Sequence, residues 1–240
     1  FISKYKKVIE YFDAVRIGLT ATPALHTKQI FGNAVFTYSY REAVIDGYLV
    51  DHDAPYNIKT ELNRHGIHHH KGEKLARYNP VTKELLNPEE LADELDFDVE
   101  DFNKNVLTPA FNKTVLTELS KYIAPESEEK TIIFAVSDRH ADEIVEHLRQ
   151  IYKTQDITAA AIEKITYAIG DRKRVQDAIK RFKNEHYPTI AVTVDLLSTG
   201  IDVPEITKIV FMRRIKSRIL YEQMLGRATR LCPKIGKTHF

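Results

Sequence analysis

The sequence predicts an α/β fold in which a parallel sheet is covered by helices on both faces. Short apolar runs at 131–136, 164–169, 189–194 and 208–212 read as strands. They are apolar along their length rather than alternating, as in strands buried on both faces. Segments with a helical period stand between them, and such strand–helix alternation builds a parallel sheet.

The elements follow in order. Residues 15–20 read as a short buried strand ending at a turn marked by Pro23, and 38–45 as a helix stopped by Gly47. A further strand is expected at 56–60. Residues 61–108 are polar, are broken by Gly66, Gly72, Pro80 and Pro88, and hold no sustained period. They read as an insertion or linker with one or two short helices. A helix follows at 110–122, then the strand 131–136. The helix 138–152 places Ala141, Ile144, Val145 and Leu148 on one face. Gly170 closes the strand 164–169. Asp171 caps a helix carrying Val175, Ala178, Ile179 and Phe182. After the strands 189–194 and 208–212, a last helix is expected over 217–229. Ligands of such sheets sit at the carboxyl ends of the strands, so the informative residues should lie there.

Composition narrows the class. The chain has 240 residues, 43% hydrophobic and 29% charged, which fits one full domain and part of another. No apolar run reaches the roughly 18–20 residues that cross a bilayer, and no signal peptide opens the chain. A single cysteine, Cys232, leaves no internal disulfide and suits a reducing cytoplasm. The first residue is not Met and the last five look like the start of a strand, so the chain reads as a piece of a longer protein. The net charge of +1 hides a split: residues 84–101 carry nine acidic side chains and no basic one, while 208–240 carry nine Lys/Arg against Glu222 alone. The acidic stretch reads as a solvated surface, and the basic end can face phosphates.

Three motifs carry the chemistry. Gln223-Met-Leu-Gly-Arg227-Ala-Thr-Arg230 places two arginines three apart, on one face of the expected helix. Guanidinium groups are planar, paired donors that stay charged, so two of them can clamp a triphosphate. Gly226 permits close approach of a backbone or ligand. Taken alone, the pattern is equally an exposed basic helix. The second motif, Ser198-Thr-Gly200-Ile-Asp202-Val-Pro204, follows a strand. Gly200 allows a tight turn, and Asp202 can bond a ribose hydroxyl or orient an arginine. Its ordinary reading is a strand-to-helix loop. Earliest in the chain, Leu19-Thr20-Ala21-Thr22-Pro23 offers hydroxyls that can link a nucleotide site to a neighbouring domain, although Thr pairs also cap turns.

In this order, together with Phe134-Ala-Val-Ser137-Asp-Arg-His-Ala141, these motifs resemble motifs III to VI of superfamily 2 helicases and translocases. The resemblance implies a RecA-like second motor lobe with the tail end of a first RecA-like lobe. It implies a division into 1–60 (first lobe), 61–108 (linker) and 109–240 (second lobe). It makes Arg227 and Arg230 the arginine fingers. Gly200, Asp202, Gln223 and Gly226 become residues of the nucleotide site, and Thr20 and Thr22 couple the lobes. Ser137, Gly170 and Thr193 fall near positions that touch nucleic-acid backbone in relatives, with Val194 where many carry the contacting threonine.

Four stretches resemble more narrowly the motor subunit of type I restriction enzymes: 17–23, 40–49, 130–142 and 194–204. That likeness implies an ATP-driven translocase acting on double-stranded DNA, ahead of cleavage by a separate nuclease domain. ATP and Mg2+ are the implied cofactors, held mainly by another part of the first lobe. The implied partners are the methylation and specificity subunits of a restriction–modification complex. A repair or remodelling motor, or a non-catalytic nucleotide- or DNA-binding module, are the alternatives.

A phosphate loop would need Gly five positions before Gly236-Lys237-Thr238, and Leu231 stands there. Asp142-Glu143 lies within a helix rather than at a strand end. The chain alone is therefore expected not to hydrolyse ATP. The histidines at 65 and 68–70 lack the cysteine or carboxylate spacing of a zinc site, so no metal is assigned to them.

Overall fold

The structure is a computed structural model that describes residues 2–23, 25–75, 89–90, 95–97, 101–103, 108–195 and 201–240. In chain order the helices are α1 (Ile2–Tyr11), α2 (Leu25–Phe31), α3 (Tyr40–Ile45), α4 (Glu61–His65), α5 (Pro109–Leu119), α6 (Asp138–Lys153), α7 (Arg172–Asn184) and α8 (Arg218–Leu225). The strands are β1 (Ile67–His69), β2 (Lys74–Leu75), β3 (Glu89–Glu90), β4 (Leu95–Phe97), β5 (Lys130–Phe134), β6 (Ile162–Lys164), β7 (Ile190–Thr193) and β8 (Ile206–Phe211). The chain divides into two compact units. One comprises Phe1–Asp53, Leu197–Ile209 and Ile215–Phe240; the other comprises Ala54–Leu196 and Val210–Arg214.

The second unit holds the sheet, in the order β6–β7–β5–β8, with helices covering it. Ladders β5–β7 and β6–β7 are parallel. Strand β8 enters this unit through Val210 and Phe211, and the chain continues in register as Met212 N–H donates to Phe134 O at 2.9 Å. All five residues of β5 and all four of β7 are buried, as runs without alternation predict. Period two sends Ile133 and Ala135 to the face packed by Leu116, Leu119, Ile144 and Leu148 of α5 and α6. Ile132 and Phe134 point the other way, and Phe134 stacks on Phe211 with ring centroids 5.7 Å apart. The helical periods were legible: α6 buries Ala141, Ile144, Val145 and Leu148, and α7 buries Val175, Ala178 and Phe182. Ser137 and Asp171 cap these helices by accepting from His140 N–H and Arg174 N–H.

One buried cation fixes the entry to the sheet. Lys130 Nζ donates to the carbonyls of Glu185 (2.8 Å), His186 (3.2 Å) and Pro188 (2.9 Å) and lies 5.1 Å from the centre of the Phe182 ring. It thus donates to three carbonyls of the α7–β7 connection, of which that of Pro188 is buried.

The first unit is built from short helices and a backbone zipper. Ser39 and Glu42 form a reciprocal capping box at the start of α3. Residues 49–53 run beside the end of the chain: Leu49 bridges Arg230, Val50 N–H donates to Thr229 O at 2.8 Å, and Asp53 N–H donates to Phe240 O at 2.8 Å.

Four expectations change. The strand expected at 164–169 is instead β6 at Ile162–Lys164, and Tyr167–Ile169 forms a 3-10 turn. Residues 15–20 form no strand, and Val15 and Leu19 are 93% and 95% exposed. A strand needs a neighbour to take its N–H and C=O groups, and among the described residues none pairs with this segment. Residues 56–60 are also not a strand, although Tyr56 packs its ring on Tyr122 at 5.0 Å. Within 61–108 the described residues include a short helix and two small antiparallel ladders, β1–β4 and β2–β3.

Candidate nucleotide site and nucleic-acid edge

The last helix ends sooner than its sequence suggests. Ser217 caps α8 by accepting from Leu220 N–H, and the helix stops at Leu225 with Gly226 as its C-terminal cap. Gly226 N–H donates to Glu222 O at 2.9 Å, and a Cβ on Gly226 would stand 3.2 Å from that oxygen. Arg227 and Arg230 therefore do not share a helical face. Arg227 lies in the turn after the helix, and Arg230 in the extended segment bridged to Leu49. They converge by another route.

Arg227 Nη1 donates to Ile201 O at 3.1 Å, and Arg230 Nη1 contacts Asp202 Oδ1 at 2.5 Å. Both arginines thus reach the same two-residue stretch. Of the two roles open to Asp202, orienting an arginine is the one formed here. The Arg230–Asp202 pair is open to solvent, with side chains 43% and 50% exposed, so it adds little to stability. Burial, and then the neighbouring Arg230 charge, push Arg227 below the usual guanidinium range. Two cations that repel one another at a partly exposed loop suit a polyanion, and this donor set fits phosphate oxygens.

Gln223 Nε2 donates to Thr22 Oγ1 at 3.4 Å, and Thr22 N–H donates to Thr20 Oγ1 at 3.1 Å. The early hydroxyl motif therefore meets the α8 motif, 201 positions apart in the chain. Gly200 lies outside the described residues.

Sequence reasoning missed Lys237. It was weighed only as part of a phosphate loop, yet its buried Nζ donates to Pro204 O at 3.0 Å and Ile206 O at 2.5 Å. Burial brings its pKa down to about 8. The segment 201–206 is thus held by Arg227 at one end and Lys237 at the other. Its only sequence signal was a lysine at a turn next to Gly236, whose φ is +63°.

The other unit carries Ser137, Gly170 and Thr193, the three residues for which the resemblance implies a place near nucleic-acid backbone. Ser137 caps α6 at the carboxyl end of β5, and its hydroxyl accepts from His140 N–H at 3.2 Å. Gly170 has φ +148°, and a Cβ there would stand 2.7 Å from Arg174 Cδ, so the arginine stem lies across it. Thr193 is fully buried at the end of β7, and its hydroxyl has no hydrogen-bond partner among the described residues. Beside Ser137, Asp138 accepts from Thr166 Oγ1 (2.5 Å) and from Lys164 Nζ (3.0 Å), and Lys164 also reaches Asp142 at 2.7 Å. In the same unit Arg213 Nη1 contacts Asp195 Oδ1 at 2.9 Å. Among the described residues no group of three or more His, Cys, Asp or Glu is placed to hold a metal. His68 and His69 instead contact separate carboxylates, Asp96 at 2.8 Å and Glu73 at 2.7 Å.

His140 supplies a pH test of this edge. It is 1% exposed, and Val136 N–H donates to its Nδ1 at 3.2 Å, so the ring is neutral with its proton on Nε2. Burial lowers its pKa from 6.5 to about 4. Between those values the unfolded chain binds the proton and the folded one does not. Stability contributed at neutral pH is therefore lost as pH falls from 6.5 toward 4. About 2 kcal/mol should disappear between pH 7 and pH 5. Urea unfolding of wild type and His140→Gln at both pH values checks this; an equal pH response in the two would refute the assignment.

The helicase conserved C-terminal domain matches residues 114–232. The chain is 50% identical, over its whole length, to the type I restriction enzyme EcoKI endonuclease subunit of Escherichia coli (strain K12). The chain is homologous to the endonuclease subunit of type I restriction enzymes. It is also 28% identical over 99% of its length to the EcoAI endonuclease subunit of Escherichia coli. A fragment structure of an HsdR subunit of a type I restriction enzyme from Vibrio vulnificus YJ016 superposes with a TM-score of 0.64 at 24% identity, over 99% of this chain and 41% of that one. The fold is thus a RecA-like lobe, the parallel sheet with helices of helicase C-terminal domains. The chain spans 21% of the length of the EcoKI subunit and 29% of the EcoAI subunit. The helicase match, residues 114–232, lies inside the stretch aligned with the EcoKI subunit. Among its described residues no helix is long and apolar enough to cross a membrane.

Proposed function

We propose that this chain is the arginine-bearing part of an ATP-driven motor that moves double-stranded DNA within a type I restriction endonuclease. The observation that carries the reading is the convergence of Arg227 and Arg230 on Ile201 and Asp202. The family relationship supports the use of ATP. In this reading Arg227 and Arg230 hold phosphate oxygens and stabilise the charge that develops on them, which is the role of guanidinium groups in phosphoryl transfer. Asp202 keeps Arg230 aimed, and Lys237 holds the segment that presents Asp202. Gln223 and Thr22 connect this cluster to the 20–23 turn. ATP with Mg2+ supplies the free energy of its β–γ phosphoanhydride bond. The ligands of Mg2+ are proposed to lie on parts of the full-length relatives that this chain does not span. The DNA substrate, the separate nuclease domain, the methylation and specificity partners and a cytoplasmic location belong to the same proposal.

Nucleotide titration of the full-length protein tests the reading. Wild type should bind ATP in a Mg2+-dependent manner, and Arg227→Ala should weaken that binding about tenfold or more, the equivalent of one charge-assisted contact of about 1.5–3 kcal/mol. Wild-type protein without Mg2+-dependent binding would instead mark a non-catalytic module.

A further inference from the structure

Helix α7 is basic in a way that its own fold does not explain. It holds six basic residues and one acidic, Asp177, a balance of +5 in a chain whose whole net charge is +1. Lys173, Lys180 and Lys183 follow one another at i, i+7 and i+10, so they form a stripe along the exposed face, opposite buried Val175, Ala178 and Phe182. Arg172 and Arg174 stand at its beginning. Arg181 pairs with Glu163, but among the described residues the side chains of Arg172, Lys173, Arg174, Lys180 and Lys183 have no carboxylate partner. Asp171 caps the N-terminus by accepting from Arg174 N–H, and the first turn after it holds Arg172, Lys173 and Arg174 with no acidic residue.

A helix exposed merely to water usually interleaves signs and gains pairs at i, i+4. Helix α6 of this same unit does so, with Arg139 and Glu143 at 3.3 Å. On α7 the like charges repel, at a cost to the folded state that an anionic partner would offset.

We infer that the exposed stripe Lys173–Lys180–Lys183 of α7, with Arg172 and Arg174 at its head, docks against the phosphodiester backbone of a nucleic acid. The inference rests on the DNA-motor reading and adds a contact surface to it. Two features favour nucleic acid over an acidic protein. No exposed position of α7 is apolar, whereas protein interfaces bury an apolar centre and nucleic-acid interfaces are polar and positive. The stripe is also about 15 Å long, the span of about four base-pair rises.

The test is DNA binding by the full-length protein as a function of salt. The variant is Lys173→Gln/Lys180→Gln/Lys183→Gln. Glutamine keeps helix propensity, and a thermal melt verifies the fold. The control variant neutralises three exposed lysines of the same unit, Lys59→Gln/Lys71→Gln/Lys113→Gln. The α7 variant should lower the slope of log affinity against log salt by about 2–3 and weaken all DNA sequences alike. The control should change it by less than about 1. An unchanged slope, or one equal to the control's, overturns the inference. Unchanged DNA binding with lost association to an acidic subunit would assign the stripe to protein. If wild type itself fails to bind DNA, the motor reading falls together with this surface; if only the variant comparison fails, the motor reading stands.

Discussion

Arg230→Ala in the full-length protein is expected to lower ATP turnover by about 10³–10⁵ while leaving DNA affinity within a few-fold. That loss corresponds to roughly 4–7 kcal/mol of transition-state stabilisation. The expectation follows from the exposed position of the Arg230–Asp202 pair. The arginine contributes little to folding, so the defect should appear in catalysis rather than in protein yield or melting temperature. Arg230→Lys should recover only part of the rate, because an ammonium keeps the charge but not the planar fork. Asp202→Asn should fall between wild type and Arg230→Ala, since Arg230 loses its anchor but not its charge. Steady-state ATP hydrolysis in saturating DNA measures all three. Turnover of Arg230→Ala within tenfold of wild type would remove Arg230 from the phosphate site.

The second large effect is on stability. Phe134→Ala should destabilise the sheet unit by about 3–5 kcal/mol. Phe134 is fully buried in β5, between β7 and β8, and stacks on Phe211 with an interplanar angle of 13°. Truncation empties a ring-sized space on the sheet face opposite α5 and α6, where strands held by their own ladders can close in little to fill it. Domains commonly hold about 5–15 kcal/mol in total, so this single change consumes a large share of the margin. Guanidinium unfolding should show the midpoint falling with the slope retained. Phe134→Leu should cost less than half as much, and a loss below about 1 kcal/mol for alanine would mean the ring is not enclosed.

What the sequence revealed depended on the range of the interaction that fixes each element. The strands β5 and β7 and the helices α6 and α7 were legible because apolar period and caps are local signals. Ser137 and Asp171 announce their helices within three residues. The segment 15–20 misled because an apolar run states a preference, while pairing needs a neighbour. Arg227 and Arg230 stand out in the sequence by type and order, but the helical face expected to align them does not form. Gly226 ends α8, and the actual geometry comes from the bridge of Leu49 to Arg230 and from acceptors at 201 and 202. Lys130 and Lys237 were illegible for the same reason. Each lysine is explained by carbonyls brought to it from elsewhere in the chain, and no spacing rule records that.

The zipper of residues 49–53 along the end of the chain has a wider consequence. The backbone that carries Arg230 is steadied by Leu49 and Val50, apolar residues some 180 positions earlier that bear no reactive group. Evolution can therefore retune the aim of the guanidinium through silent-looking hydrophobic exchanges far from any signature. A survey confined to the motifs would mistake such changes for neutral drift.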